Sequence, residues 1–171
     1  MKKLLIGLIL ALLVTVMPIG TVLAATTADI TVTATGTYIA ITVDVTSKAF
    51  GTVAASSTPN TTTSFFTIDN TSSVQTDQTI AVTTATWSSA GAGWTHNDAG
   101  TPGANTAALL ANKGGTWGVG DVIIKNAAPL NIAENQTALA DYSFGIRLLA
   151  PTSFTDGQQN TIIVRVTAAA G

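Results

Sequence analysis

The chain has 171 residues, no cysteine and a formal net charge of −2, and only 9% of its residues are charged, against roughly 25% in typical globular proteins. That balance gives no electrostatic case for nucleic-acid binding, and the absence of cysteine excludes disulfides and thiolate zinc sites. With 46% hydrophobic residues the chain also lies far from the charged, weakly apolar compositions that stay disordered.

Residues 1–24 read as an export signal. Lys2 and Lys3 precede the apolar run Leu4 to Met17, Pro18 breaks it, and Val22-Leu23-Ala24 places small or short residues before a cut at Ala25. The plainer alternative is an uncleaved anchor, because Leu4 to Ala25 has no charge and is just long enough to cross a bilayer. A type IV pilin leader fits less well, since Gly7 follows Leu5-Ile6 rather than a basic residue. No cysteine follows the apolar run, so a lipoprotein anchor is excluded. Residues 25–171 then form a span the size of one domain, and loss of the two lysines leaves it more acidic.

The first stretch after the signal, ATTADITVTATG (Ala25 to Gly36), alternates like a strand. Ile30, Val32 and Ala34 share one face, and Thr31, Thr33 and Thr35 the other. Period-2 runs recur along the chain with turn residues between them. Tyr38 to Val45 puts Ile39, Ile41, Val43 and Val45 on one face. Phe50 to Ala54 is a short run, and the polar loop Ser56 to Ser64 leads to Phe65 to Asp69. Gln78 to Trp87 is the next strand. A Gly-, Ala- and Asn-rich stretch, Ser88 to Gly120, holds Trp94, Trp117 and the single His96. Within it, Ala104 to Lys113 (ANTAALLANK) reads as a helix of two or three turns with Gly114-Gly115 as its stop. Val122 to Lys125 is a short apolar strand. Tyr142, Phe144, Ile146 and Leu148 alternate with polar residues or Gly145, and Thr161 to Thr167 turns Ile162, Val164 and Val166 inward.

Short strands, Gly/Pro/Asn turns and one marginal helix predict an all-β domain over 25–171. The expected form is an antiparallel β-sandwich or jelly-roll of about seven to nine strands, preceded by a signal helix. Threonine is β-branched, favours strands and wets a surface without charge. Few charges mean little repulsion between copies, which suits a protein that packs against itself, although a general compositional bias would give the same numbers.

Chemistry-bearing patterns are sparse. His96 with Asp98 is the only base–acid candidate, and no G-x-S-x-G elbow presents a nucleophile. Glu134 is the single glutamate, and no carboxylate pair of the glycosidase kind stands out. No catalysis and no cofactor are expected. Calcium is the exception to weigh: oxygen ligands exist at Asp69, Asn70 and Asp77, or at Asn97, Asp98 and Asn105, but such side chains more often cap turns. Trp87, Trp94 and Trp117 offer an aromatic platform for sugar stacking, or else plug the core beneath the long excursion. Sequons stand at Asn60, Asn70 and Asn135.

An export signal, a Thr-rich first strand, a low-charge cysteine-free body and the closing FGIRLLAPTSFTDGQQNTIIVRVTA (Phe144 to Ala168) together resemble secreted filament-forming sandwich subunits. The nearest group is the biofilm-matrix fibre proteins of the TasA/camelysin type and the archaeal bundling pilins similar to them. The resemblance spans most of residues 25–171 as architecture and transfers no functional residue. It implies an extracellular structural protein, without catalysis, that polymerises with copies of itself by donor-strand exchange. Segment 25–35 is the expected donor, with Ile30, Val32 and Ala34 as its anchors. The Ala168 to Gly171 end carries neither a sortase motif nor a second apolar segment, so attachment to a cell is expected to come from elsewhere. The alternative is a secreted carbohydrate-binding module that meets surface glycans through exposed tryptophans. Neither reading involves nucleic acid, or a membrane once the signal is cut.

Overall fold

The computed structural model describes Thr31 and residues 33–171. The signal segment with its expected helix, and Ile30 and Val32 of the opening strand, lie outside the described residues. The chain divides into two compact units, Met1–Thr35 and Gly36–Gly171. In the first, the described residues Thr31 and Thr33 to Thr35 belong to no strand or helix, and Ala34 is exposed.

The second unit is all-β, with no helix among the described residues. Its eleven strands are β1 (Ile41–Val43), β2 (Phe66–Asn70), β3 (Thr76–Val82), β4 (Ser88–Ser89), β5 (Thr95–His96), β6 (Thr106–Asn112), β7 (Val122–Ile124), β8 (Leu130–Gln136), β9 (Tyr142–Leu149), β10 (Asn160–Thr161) and β11 (Val164–Ala170). One sheet runs β1-β2-β9-β6-β5, with β7 also on β6; a second is β11-β3-β8; β10 and β4 make a small pair. All pairings are antiparallel except β5 with β6.

The alternation in the sequence is what builds the core. Strand β3 buries Thr76, Gln78, Ile80 and Val82 while the residues between them stay partly exposed. Strand β9 buries Phe144, Ile146 and Leu148, and its pairing with β2 sets Phe66 opposite Phe144, rings stacked 5.2 Å apart. One apolar cluster draws Ile68, Leu109, Ile124 and Phe144 from the larger sheet and Ile80, Val82 and Ile132 from the three-stranded one. The two sheets meet where the Val82 N–H donates to the Lys125 carbonyl, 3.1 Å, just beyond β7.

The helix expected over Ala104 to Lys113 is instead strand β6. Alanine and leucine favour helix locally, but β6 lies inside the sheet, with β9 along one edge and β5 and β7 along the other. Ala107, Ala108, Leu109 and Ala111 are all buried. A strand covered on both faces shows no alternation, and tertiary burial outweighs intrinsic propensity there. Strand β8 escaped notice for a related reason. Its pairing with β3 carries register shifts between Thr76 and Gln78 and between Gln78 and Thr79, so adjacent Ile132 and Ala133 are both buried and the period is lost. Phe50 to Ala54 forms no strand, although Phe50 and Val53 pack against the core. The run Gln78 to Trp87 holds its pairing only to Val82, and Ile39 is exposed while Ile41, Val43 and Val45 pack inward.

Gly145 lets the segment before β2 lie flat on β9. A Cβ there would run into the Thr62 carbonyl and stand 2.9 Å from Thr63 Cα and 3.0 Å from Trp117 Cζ2. Because the obstacle is backbone, Gly145→Ala is expected to lower unfolding stability by about 1–3 kcal/mol. Gly157→Ala, which meets open space, is expected to stay within about 0.5 kcal/mol. Urea unfolding of the two variants checks this.

Candidate functional site

The most structured loop joins β6 to β7, Asn112 to Asp121 (NKGGTWGVGD). Asn112, fully buried at the end of β6, organises it. Its Nδ2 donates to the Thr116 carbonyl, 3.0 Å, and to Asp121 Oδ1, 2.6 Å, and its Oδ1 accepts from the Gly115 N–H, 2.8 Å. Gly118 sits at φ +92°, a conformation L side chains avoid, and its N–H donates to Asp121 Oδ2, 3.0 Å. The loop is thus set by its own hydrogen bonds before it meets anything else.

Trp117 stands in this loop, half-buried. Its Nε1–H donates to the Thr61 carbonyl, 2.9 Å. The Arg147 guanidinium from β9 lies 4.4 Å from the indole ring, a cation–π contact, and Arg147 also pairs with Asp121 at 3.4 Å. Thr61 is fixed in turn: its hydroxyl accepts from the Ile146 N–H, 2.9 Å, and donates to the Thr62 carbonyl, 2.7 Å. Between Trp117 and the strip Asn60 to Thr63, with Thr116 at the side, runs a shallow open groove of about 550 Å³. Its lining carries hydroxyls, one amide and one indole, and no charge.

The other two tryptophans are elsewhere. Trp87 and Trp94 are 7% and 8% exposed, their rings 5.4 Å apart, and Trp94 stacks on Phe154 at 5.5 Å. The Trp87 N–H donates to the Trp94 carbonyl, 2.8 Å. They fill the core under the 88–105 excursion, so the three residues form no common platform, and only Trp117 reaches the surface.

His96 is enclosed. Its Nε2 is 2.7 Å from the Ile124 carbonyl, tying β5 to β7, and its buried Nδ1 has no partner. Asp98 lies 3.6 Å from that Nε2, but its carboxylate accepts from the Asn126 and Ala127 N–H groups at 2.8 and 3.0 Å. Partial burial pushes the Asp98 carboxyl up. The two N–H donors, with His96 and Lys125 nearby, outweigh this and hold it below the usual carboxylate value. The pair acts as a turn clamp shut off from solvent on the imidazole side.

The oxygen ligands considered for calcium are likewise engaged, in cross-strand and turn hydrogen bonds. Asp69 accepts from Thr42 Oγ1, Asn70 from the Ser72 N–H and Asp77 from the Asn135 N–H. Asn97 caps Ala99 and Thr101, and Asn105 holds both the N–H and the hydroxyl of Thr155. Among the described residues no three His, Cys, Asp or Glu side chains gather. Glu134 accepts from Asn131 Nδ2, 3.0 Å. Of the sequon asparagines, Asn60 and Asn135 are exposed, whereas Asn70 is 2% exposed with its amide engaged on the Thr137 carbonyl.

Sequence reasoning singled out Trp117 but passed over Asn112, Asp121 and Arg147, which hold it. The signal was present in the loop, where Asn and Asp bracket four glycines and one tryptophan; the contribution of Arg147 depends on the β6–β9 register and leaves no local trace. No protein-family model, no curated protein and no solved structure matches the chain, so its functional reading rests on these residues.

Asp98 has a testable consequence. A carboxyl whose folded pKa lies below its unfolded value of about 3.9 adds stability that is fully present above that value and is lost as the pH falls through the folded one. Asp44, held down chiefly by the Thr67 N–H, acts in the same direction. The thermal midpoint is expected to fall as the pH drops below about 4, and Asp98→Asn to flatten that fall. Calorimetric scans across the acid range check both.

Proposed function

We propose that this protein is an extracellular structural subunit that assembles with copies of itself by β-strand addition. The body is read as an antiparallel β-sandwich or jelly-roll, with segment 25–35 as donor and Ile30, Val32 and Ala34 as its anchors. The observation that carries the reading is the state of the outermost strand of the β11-β3-β8 sheet.

Strand β11 pairs with β3 without interruption from Val164↔Val82 to Ala170↔Thr76, and among the described residues nothing pairs with its other edge. Along those seven residues it bears one charge, Arg165. Soluble proteins ordinarily guard such an edge with charges, bulges, proline or brevity. The other edges here are guarded in those ways. Strand β1 has three residues, and β8 carries register shifts, Glu134 and an Asn135 at φ +51°. An open, regular, nearly uncharged edge supports strand addition, in which main-chain hydrogen bonds supply affinity and alternate side chains supply register. A donor at one end and an acceptor edge on the same chain make a head-to-tail contact. Such contacts grow filaments wherever the rotation does not close a ring.

Negative-stain electron microscopy of the protein lacking the signal is expected to show regular filaments. Deleting residues 25–35 is expected to leave a folded monomer; a deletion variant that still polymerises overturns strand exchange. Thr167→Lys with Ala169→Lys puts two charges on exposed positions of β11 and is expected to abolish filaments while the thermal midpoint moves little.

A further inference from the structure

The groove beside Trp117 is built more carefully than a loop packing requires, and self-assembly through β11 leaves it unused. We infer that it is a binding site for neutral saccharides, an activity separate from strand addition and independent of it.

Three observations carry this. First, the aromatic is pre-placed. Trp117 is held by Nε1–H to the Thr61 carbonyl at 2.9 Å, by Arg147 at 4.4 Å from its ring, and by a loop locked through Asn112 and Asp121. A ring fixed before binding loses little freedom when a sugar meets it; with its Nε1–H donated to the Thr61 carbonyl, the indole offers the ligand an apolar surface. Second, the rest of the lining is hydroxyl and amide: Asn60, Thr61, Thr62, Thr63 and Thr116. Thr62, Thr116 and Asn60 are exposed, while the Thr61 hydroxyl and the Asn60 Nδ2 are engaged on neighbouring main-chain groups. Threonine hydroxyls beside one aromatic match a ligand that carries hydroxyls along an apolar ring.

Third, the groove has no free charge. Arg147, whose guanidinium lies against the indole, is paired with Asp121 at 3.4 Å. A lining without charged side chains favours an uncharged oligosaccharide over phosphorylated, sulfated or uronic ligands. Because the site is shallow and open, weak binding of a chain segment is expected, with Kd around 1 mM, and many copies in an assembly would multiply it.

The test is a titration of the full protein with cellohexaose and laminarihexaose as neutral probes and a heparin hexasaccharide as the charged one, read by isothermal titration calorimetry and tryptophan emission. Trp87 and Trp94 are buried, so an emission change on binding reports Trp117, and Trp117→Phe is expected to remove it. The expected result is saturable binding of at least one neutral probe, insensitive to salt, with heparin weaker by about tenfold or more. Thr62→Val with Thr116→Val removes two exposed hydroxyls without touching the core. It is expected to weaken binding by about fivefold or more, the scale of one or two lost hydrogen bonds, at an unchanged thermal midpoint. The inference is overturned if neither neutral probe saturates at about 20 mM, far above the expected Kd. It is equally overturned if heparin binds more tightly, or if the double threonine variant binds as the parent does. Filament formation plays no part in these readouts, so failure here leaves strand addition standing, and the reverse.

Discussion

The antiparallel register of β6 against β9 is the constraint on which the rest of the molecule depends. Five pairs, from Ala108↔Leu149 to Asn112↔Gly145, set it. It places the buried Ala108 and Ala111 opposite Leu149 and Ile146, and Leu109 opposite Leu148. It also brings Asn112, which organises the β6–β7 loop, opposite Gly145, which lets the Thr61 to Thr63 strip approach. The same register carries Arg147 to the face where Trp117 arrives. A slip of one residue would turn every side chain of β9 to the opposite face and dissolve both the core and the groove.

Without disulfides and with few charges, the chain meets its polar obligations through side-chain-to-backbone hydrogen bonds. Asp44 accepts the N–H groups of Val45 and Thr67, Asp98 those of Asn126 and Ala127, and Asn97 those of Ala99 and Thr101. Each satisfies main-chain donors that would otherwise lack partners, which is why Asx residues cluster in these loops. His96 belongs to the same economy, bonding a carbonyl of the neighbouring strand.

The three-stranded sheet is stabilised less evenly. Its central strand buries Ile80 and Val82 at one end, but at the other it buries Thr76 and Gln78, and neither Oε1 nor Nε2 of Gln78 has a hydrogen-bond partner. An unsatisfied buried polar group costs about 1–3 kcal/mol. Together with the register shifts towards β8, this makes that end of the sheet the natural place for local opening, which proceeds where packing and hydrogen bonding are weakest. Strand β11, whose outer edge has no partner among the described residues, runs along that end of β3.

The sequence by itself determined the β character of the domain and the inward faces of its half-exposed strands, because period-2 alternation is written locally: Ile41 and Val43, Phe144 to Leu148, Val164 and Val166. It also marked Asx residues as turn caps. What it could not carry was anything that depends on two-sided burial or on distant register. Ala104 to Lys113 reads as helix because alanine and leucine favour helix locally; only the place of Thr106–Asn112 between β9 and β7 makes it a strand. Leu130–Gln136 loses its period to shifts that the partner strand imposes. Of the three tryptophans, only the tertiary structure separates Trp117 from Trp87 and Trp94. The reason is physical: exposure and stacking are decided by which chain segments, far apart in sequence, come to lie against the same ring.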